Sequence, residues 1–209
     1  MKTRFIFALP VSALLALASL QAQDRVQLFG GYAYTAYYYY PAYTGPWTLS
    51  SFNGWGSSAS VRLFQITPHR LGAAQAGIEG DFGSSSGPSF NGAVHTTQAI
   101  RTFMGGPRVE TGFRRAGLYG HVLFGELTYK VTQTEPGAPP PYGYYYSSDR
   151  TYAMALGGGA DLWLTRHFGA QLVQIDYLRN NNSEPGYFAH PGQHRNFRIL
   201  TGATVRFGR

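Results

Sequence analysis

The segment 196–207, which reads NFRILTGATVRF, decides the fold class of this chain. Every second residue of it is apolar or neutral, in the order Phe197, Ile199, Thr201, Ala203, Val205 and Phe207. The intervening positions begin with Arg198 and end with Arg206, and are small or cationic apart from Leu200. Strict alternation of this kind predicts a β-strand with two chemically different faces.

Seven further segments repeat the alternation: 26–34, 55–63, 74–82, 98–105, 118–127, 152–164 and 173–177. In 98–105 the apolar face consists of Ile100, Thr102 and Met104, opposite Arg101 and Gly105. The segment 118–127 divides less clearly, and its orientation stays open. The sequence therefore predicts eight strands.

The connections between these segments alternate in length. Four are long and rich in Pro, Gly, Tyr, Ser or Asn, namely 35–53, 83–95, 130–149 and 179–194. Three are short and lie near 67–70, 108–115 and 165–167. Long and short connections then fall at opposite ends of an up-and-down antiparallel meander. That is the plan of an eight-stranded transmembrane β-barrel, which has short periplasmic turns and longer outer loops.

The first residues have the pattern of a secretory signal peptide. Lys2 and Arg4 precede an apolar run, and Ala22 offers a small residue for cleavage. We expect a signal peptide over 1–22 and a barrel domain over 23–209. The alternative is an uncleaved membrane anchor, for which the run is short.

Composition narrows the function classes. The chain has no cysteine, which excludes a disulfide framework and any cysteine-ligated metal site. Without Lys2 and Arg4, 15 of the 17 basic residues remain against 10 acidic ones, a net charge of +5. The arginines are scattered rather than clustered, so the sequence predicts no nucleic-acid partner.

The alternation alone does not show which face of the sheet contacts water. A soluble lipocalin-like barrel or a sandwich would bury its apolar face. Export, the absence of cysteine and aromatic residues at strand ends favour a membrane barrel with the apolar face outward. The aromatic residues are Trp55, Phe82, Tyr119, Tyr129, Tyr152, Trp163, Phe168, Tyr177 and Phe207.

With that polarity, eight charged side chains face the lumen and balance one another: Arg62, Arg101, Arg198 and Arg206 against Glu79, Asp81, Asp161 and Asp176. An eight-stranded barrel is just wide enough to be filled by side chains. Buried charges persist there only when they are paired. We expect a plugged, salt-bridged lumen without a wide pore, in which inward glycines make room for long arginine side chains.

Four stretches carry a resemblance to a known group: LFGGYAY at 28–34, YGHVLFG at 119–125, ALGGGAD at 155–161 followed by QIDY at 174–177, and NFRILTG at 196–202 continuing through Phe207. In this order and spacing they resemble the small outer-membrane β-barrels of the OmpA-like and opacity-like group of Gram-negative bacteria. The resemblance implies a monomeric barrel in the outer membrane, in contact with its lipid and lipopolysaccharide, with no cofactor.

The end of the chain also resembles the signal that the barrel-assembly machinery reads during insertion. Gly202, Val205 and Phe207 match its pattern of a glycine, an alternating hydrophobic residue and an aromatic residue. Leu200 stands where a polar residue is usual, and Gly208 and Arg209 extend beyond the usual terminal aromatic.

Two tyrosine runs lie in the predicted outer loops: Tyr37, Tyr38, Tyr39 and Tyr40, and Tyr144, Tyr145 and Tyr146. Tyrosine gives large contact area at low entropic cost, so these runs are candidates for binding an extracellular ligand, which the sequence does not name. The alternative is that the rings extend the outer aromatic belt.

Histidines suggest other chemistries. His95 lies near Asp81 and a serine-rich stretch with Ser84, Ser85, Ser86 and Ser89, a set from which a lipid A-modifying enzyme could draw a base and a nucleophile. His190 and His194 lack a carboxylate partner, so no metal site is predicted, and His121 is assigned to the lumen. Our leading hypothesis is a non-enzymatic outer-membrane barrel with a structural or adhesin-like role. The alternatives are a narrow porin-like channel and, less favoured, a lipid A-modifying enzyme.

Overall fold

The computed structural model describes residues 26–39, 48–69, 72–91, 94–113, 115–134, 144–183 and 191–207. The predicted signal peptide, Tyr40 and His190 lie outside these ranges.

Eight strands form one closed antiparallel barrel in chain order, and the last strand pairs with the first. Their bounds are β1 Val26–Tyr39, β2 Thr48–His69, β3 Gly72–Asn91, β4 Val94–Phe113, β5 Ala116–Thr134, β6 Tyr144–Trp163, β7 Phe168–Ser183 and β8 Pro191–Phe207. The number of strands and the up-and-down order predicted from the sequence are confirmed.

The strands are longer than the predicted segments, with 14 residues in β1 and 22 in β2. A membrane crossing needs only about 9–11 residues. Most of the surplus lies at the end where 40–47, 92–93, 135–143 and 184–190 connect the strands, called here the loop end. The opposite end, with the connections 70–71, 114–115 and 164–167, is called the turn end.

Much of what the sequence predicts as loop is therefore strand. The clearest case is 83–95, of which 83–91 belong to β3 and 94–95 to β4. Beyond the lipid both faces of a strand contact water or neighbouring polar side chains. The alternation of apolar and polar residues, on which the prediction rests, therefore disappears there, although the hydrogen-bonded ladder continues.

The barrel has inverted polarity. Large apolar side chains point away from the axis and are exposed: Leu28, Trp55, Ile78, Phe103, Phe124, Leu156, Ile175, Ile199 and Phe207 are examples. Among the buried side chains are Glu79, Asp81, Asp161, Asp176 and Arg198. An apolar belt around charged contents is the arrangement of a wall that faces lipid, and the chain is a transmembrane barrel. No helix in the described ranges has the length and apolar character of a membrane span.

Strand β4 is the exception to the predicted facing. Ile100, Thr102 and Met104 are buried inside the barrel, whereas Arg101 and Phe103 are exposed on its outer wall. The prediction that Arg101 faces the lumen is wrong. The lumen is itself apolar at this height, so hydrophobicity along 98–105 does not distinguish inside from outside.

The aromatic belt also needs correction. Trp55, Tyr152, Phe168 and Phe207 are exposed on the outer wall as expected. Tyr119 and Trp163 are only 7% exposed, because they share their facing with the lumen residues His121 and Asp161, two positions away on β5 and β6. Tyr129 packs against the buried apolar residues of the lumen.

Candidate functional site

An apolar layer fills the part of the lumen nearer the loop end. We call it the loop-side plug; it consists of Phe52, Ile100, Met104, Leu123, Leu127, Ala153, Ala155 and Leu178. On each of β4 to β7 these residues lie nearer the loop end than the charged lumen residues of the same strand, as Leu178 does relative to Asp176. The charged groups of the lumen thus lie in its turn-side part, whereas the buried polar side chains nearer the loop end, such as Asn180 and Asn196, are uncharged.

Below the plug, Arg198 of β8 is the largest fully buried side chain. Its Nε and Nη2 donate to Oδ2 of Asp176 at 3.0 and 2.6 Å, and its Nη1 donates to Oδ1 of Asp81 at 2.7 Å. The same Nη1 lies 3.2 Å from Oγ1 of Thr102. Such charge-assisted bonds to two carboxylates compensate the desolvation of the guanidinium.

His121 of β5 bridges two carboxylates. Its Nδ1 lies 3.0 Å from Oε2 of Glu79, and its Nε2 lies 2.9 Å from Oδ1 of Asp176. Ionised carboxylates only accept hydrogen bonds, so both ring nitrogens donate together only when the imidazole is protonated. With His121 charged, five cations balance five carboxylates in the network, namely Arg62, Arg108, His121, Arg198 and Arg206 with Glu79, Asp81, Glu110, Asp161 and Asp176.

Arg108 of β4 continues the network toward the turn end. Its Nη1 donates to Oε2 of Glu79 at 3.2 Å and its Nη2 to Oδ2 of Asp161 at 3.5 Å. Its guanidinium lies 3.7 Å from the ring centroid of Tyr119, whose hydroxyl donates to Oε1 of Gln174 at 2.7 Å. The Nε of Arg108 also lies 3.5 Å from Oε2 of Glu110, so Arg108 is held by three carboxylates and an aromatic face.

At the turn end the lumen opens into a polar cavity of about 210 Å³. Arg62 forms an ion pair with Glu110, and the Arg206 guanidinium stacks 3.6 Å from the ring of Trp163. Asp161 also lines this cavity and accepts a 2.9 Å hydrogen bond from Gln27.

Taken together, the polar contacts join all eight strands. They run from Gln27 on β1 through Asp161, Arg108, Glu79, His121, Asp176 and Arg198 to Asp81, while the Arg62–Glu110 pair adds β2. We call the ten side chains of these contacts the lumen cluster: Gln27, Arg62, Glu79, Asp81, Arg108, Glu110, His121, Asp161, Asp176 and Arg198. The loop-side plug lies above these cross-lumen bonds.

Glycines leave the space that this cluster occupies. A Cβ at Gly83 would lie 2.9 Å from Nη1 of Arg198, and one at Gly159 would lie 2.7 Å from the Tyr119 hydroxyl. A Cβ at Gly157 would collide with Oδ1 of Asp176. These glycines make room for the large polar side chains opposite them.

Of the eight charged residues expected in the lumen, the structure brings Arg62, Glu79, Asp81, Asp161, Asp176 and Arg198 into the lumen cluster. Arg206 lies beside it on Trp163, and Arg101 lies outside the barrel. Arg108 and Glu110 are missed, because both fall in the predicted short connection 108–115, whereas β4 continues to Phe113. Pro107 is a strand residue opposite Ile78, where the ladder to β5 is interrupted. Arg108 shares its facing with Met104, so its inward position follows only from the corrected facing of β4.

The other predicted groups have separate locations. Tyr37, Tyr38 and Tyr39 end β1 and Tyr144, Tyr145 and Tyr146 begin β6, so both runs reach the loop end; Tyr146 is exposed. Gly202, Val205 and Phe207 lie on β8 at the barrel seam. His194 is in β8, and the described residues contain no group of three or more acidic, histidine or cysteine side chains suited to a metal ion.

Asp81, the acid of the proposed set, is not brought to His95, although Ser89 pairs with Thr96 beside it. His95 pairs with Phe90, whereas Asp81 pairs with Met104, nine residues further along β4. At about 3.4 Å per residue this is about 30 Å along the strand. Asp81 is moreover engaged by Arg198.

Comparisons with known proteins support the fold. Searches found no matching family model and no matching curated protein. Among solved structures, the chain is similar to Ail, the attachment invasion locus protein of Yersinia pestis, in complex with the heparin analogue sucrose octasulfate, with a TM-score of 0.56 and 14% identity over 89% of this chain and 100% of that one. It is also similar to Neisserial surface protein A, with a TM-score of 0.54 and 10% identity over 87% of this chain and 97% of the other.

Proposed function

We propose that this protein is a closed outer-membrane barrel that presents a binding surface at its loop end and conducts no solutes. The observation that carries this is the double seal of the lumen. Leu123, Leu127 and Leu178 are at most 1% exposed in the loop-side plug, and Arg198 is bonded across the turn-side part to Asp81 and Asp176. A sealed cylinder serves as a scaffold rather than as a channel.

The loop end supplies the surface. Strand residues continue past the apolar belt on several strands, for example from Tyr144 to Thr151 on β6 above Tyr152. A rigid, hydrogen-bonded extension holds side chains at fixed positions outside the lipid, which lowers the entropic cost of binding. The tyrosine runs at the ends of β1 and β6 are the binding candidates.

Charge indicates the kind of ligand. The sequence from 35 to 53, with the first tyrosine run, contains no charged residue, and 130–149, with the second, contains one basic and two acidic residues, Lys130, Glu135 and Asp149. Ail was solved with a sulfated sugar, and such a polyanion requires clustered cations. Tyrosine-rich, weakly charged ends fit neutral glycans or polar peptide segments better.

The proposal includes export and assembly. We infer that 1–22 is removed as a signal peptide, that Gly202, Val205 and Phe207 serve the barrel-assembly machinery, and that the barrel is monomeric and non-enzymatic. Heat-modifiable migration in gels and outer-membrane fractionation test the first steps.

The experiment for the function has two parts. Purified barrels in planar bilayers should show no stable conductance steps; a persistent open state in the nanosiemens range would establish the porin-like alternative. Cells producing the barrel should be retained on arrays of glycans and matrix proteins. Alanine at Tyr37–Tyr40 or Tyr144–Tyr146 should abolish that retention, while the control Tyr152→Ala, in the belt, should not. Sucrose octasulfate serves as the polyanion probe.

If the wild type is retained no better than cells lacking the barrel, or if both tyrosine variants behave as the wild type does, the surface-binding role is wrong. Lipid A that differs in mass between producing and non-producing cells would instead establish the enzyme alternative.

A further inference from the structure

The outer wall of the barrel carries a groove of about 790 Å³ across β2 to β6. Its floor is a cross-strand row of small residues, because Ala59 pairs with Gly80 and Gly80 pairs with Gly105. A Cβ at Gly80 would have no heavy atom within 4 Å. Ile78, Phe103, Phe124 and Tyr152 form the walls. The apolar belt is therefore interrupted by a trough that a linear apolar chain can fill.

Cations stand directly above this groove on the same wall. Arg101 pairs with Thr128 and Thr128 with Arg150, so the two arginines flank one strand at the same height. Lys130 lies two residues further toward the loop end on the middle strand. The one carboxylate on this patch is Glu126, whose Oε1 lies 3.5 Å from Nε of Arg150 and accepts a bond from Thr128. The patch thus carries three positive charges and one negative charge.

The height of the patch matches the lipid headgroups. On β6 the apolar face runs from Tyr152 to Leu164, and Arg150 comes two residues before it. Twelve residues at about 3.4 Å, tilted by about 45°, rise close to the roughly 25 Å of the apolar band of such barrels. The side chain of Arg150 is 71% exposed and can reach a group beside the wall.

We propose that this groove and patch bind lipopolysaccharide of the outer leaflet, with acyl chains in the trough and phosphates between Arg101, Lys130 and Arg150. Two independent features support a phosphorylated, multiply acylated lipid: the apolar trough fits chains, and the cations fit phosphate. A second copy of this chain would set its own cations against these. The inference extends beyond the proposed surface-binding role and rests on the membrane location of the wall and on the outward orientation of the loop end.

The test uses barrels folded in detergent and titrated with purified lipopolysaccharide, with the bound lipid counted by native mass spectrometry. The triple variant Arg101→Ala/Lys130→Ala/Arg150→Ala should bind at least about tenfold more weakly, since each lost charge-assisted bond is worth about that factor. Gly80→Leu, which fills the trough, should also weaken binding. Arg179→Ala, an exposed arginine on β7, and Gly30→Leu are the controls; a Cβ at Gly30 also has open space.

The controls should bind as the wild type does, and all variants should retain heat-modifiable migration as evidence of folding. Phosphatidylglycerol and dephosphorylated lipid A should compete poorly. Equal competition by either lipid would overturn the assignment, and so would equal losses in the controls. A dimer that Gly80→Leu abolishes would show that a second copy occupies the groove instead.

Discussion

Arg198 of β8 donates from Nη1 to Oδ1 of Asp81 on β3 at 2.7 Å, although the two residues are 117 positions apart in the chain. The bond crosses the lumen and connects strands that are not neighbours in the barrel. It forms only when the cylinder is closed, so it favours the closed state over open sheets.

Replacing Arg198 should therefore destabilise the barrel strongly. Arg198→Met leaves Asp81 buried without its cation and Asp176 with His121 alone, which costs about 3–5 kcal/mol. Arg101→Met, an equivalent change on the outer wall, should alter the free energy of unfolding by less than about 0.5 kcal/mol. Urea unfolding in phospholipid vesicles measures both. Equal effects of the two substitutions would contradict the facing found for β4.

His121 should be protonated in the folded barrel, because each ring nitrogen faces a carboxylate oxygen. Nitrogen NMR of the labelled protein near neutral pH should show protons on both ring nitrogens. His121→Leu should lower the free energy of unfolding by about 1–3 kcal/mol per lost donor, and His121→Gln by less, since its amide still donates. A neutral tautomer in the spectrum would show that Glu79 or Asp176 holds the proton instead.

The seam between β1 and β8 should be sensitive to a single methyl group. Gly31 pairs with Gly202, and a Cβ at Gly202 would lie 3.0 Å from the carbonyl carbon of Gly30 and closer still to Gly31 Cα. Gly202→Ala should lower the free energy of unfolding by about 1–3 kcal/mol and slow folding into detergent, because the added methyl group keeps β1 and β8 from approaching each other. Gly30→Ala, one residue away on the outer face, is the matched control and should fold normally.

The Gly202→Ala variant also distinguishes closure of the barrel from recognition by the assembly machinery. If Gly202→Ala folds normally in detergent but fails to insert in cells, Gly202 acts as part of the assembly signal. Failure in both settings is what the crowded seam predicts.

The alternation of β3, β6, β7 and β8 was sufficient to place Glu79, Asp81, Asp161, Asp176 and Arg198 inside, because each lies between apolar residues that face lipid. Two features escaped prediction for physical reasons. Because the lumen is filled by the plug, both faces of β4 are apolar around Met104, and the alternation no longer shows which face points inward. Partners across the lumen depend on register and tilt, which a single sequence does not specify.

Facing can be measured residue by residue, because the chain has no cysteine of its own. Single cysteines at Phe103 and Ile199 should lie on the outer wall, whereas cysteines at the adjacent Met104 and Leu200 should lie in the packed lumen. In folded, micelle-bound protein a lipophilic maleimide should label the first pair quickly and the second pair only after unfolding. Equal labelling of all four in the unfolded chain is the control. The pair on β4 tests the inward facing of Met104. A reactive Met104→Cys with a protected Phe103→Cys would restore the facing predicted from the sequence, with Arg101 inside. Arg101 would then also be lost as a cation of the proposed lipid site.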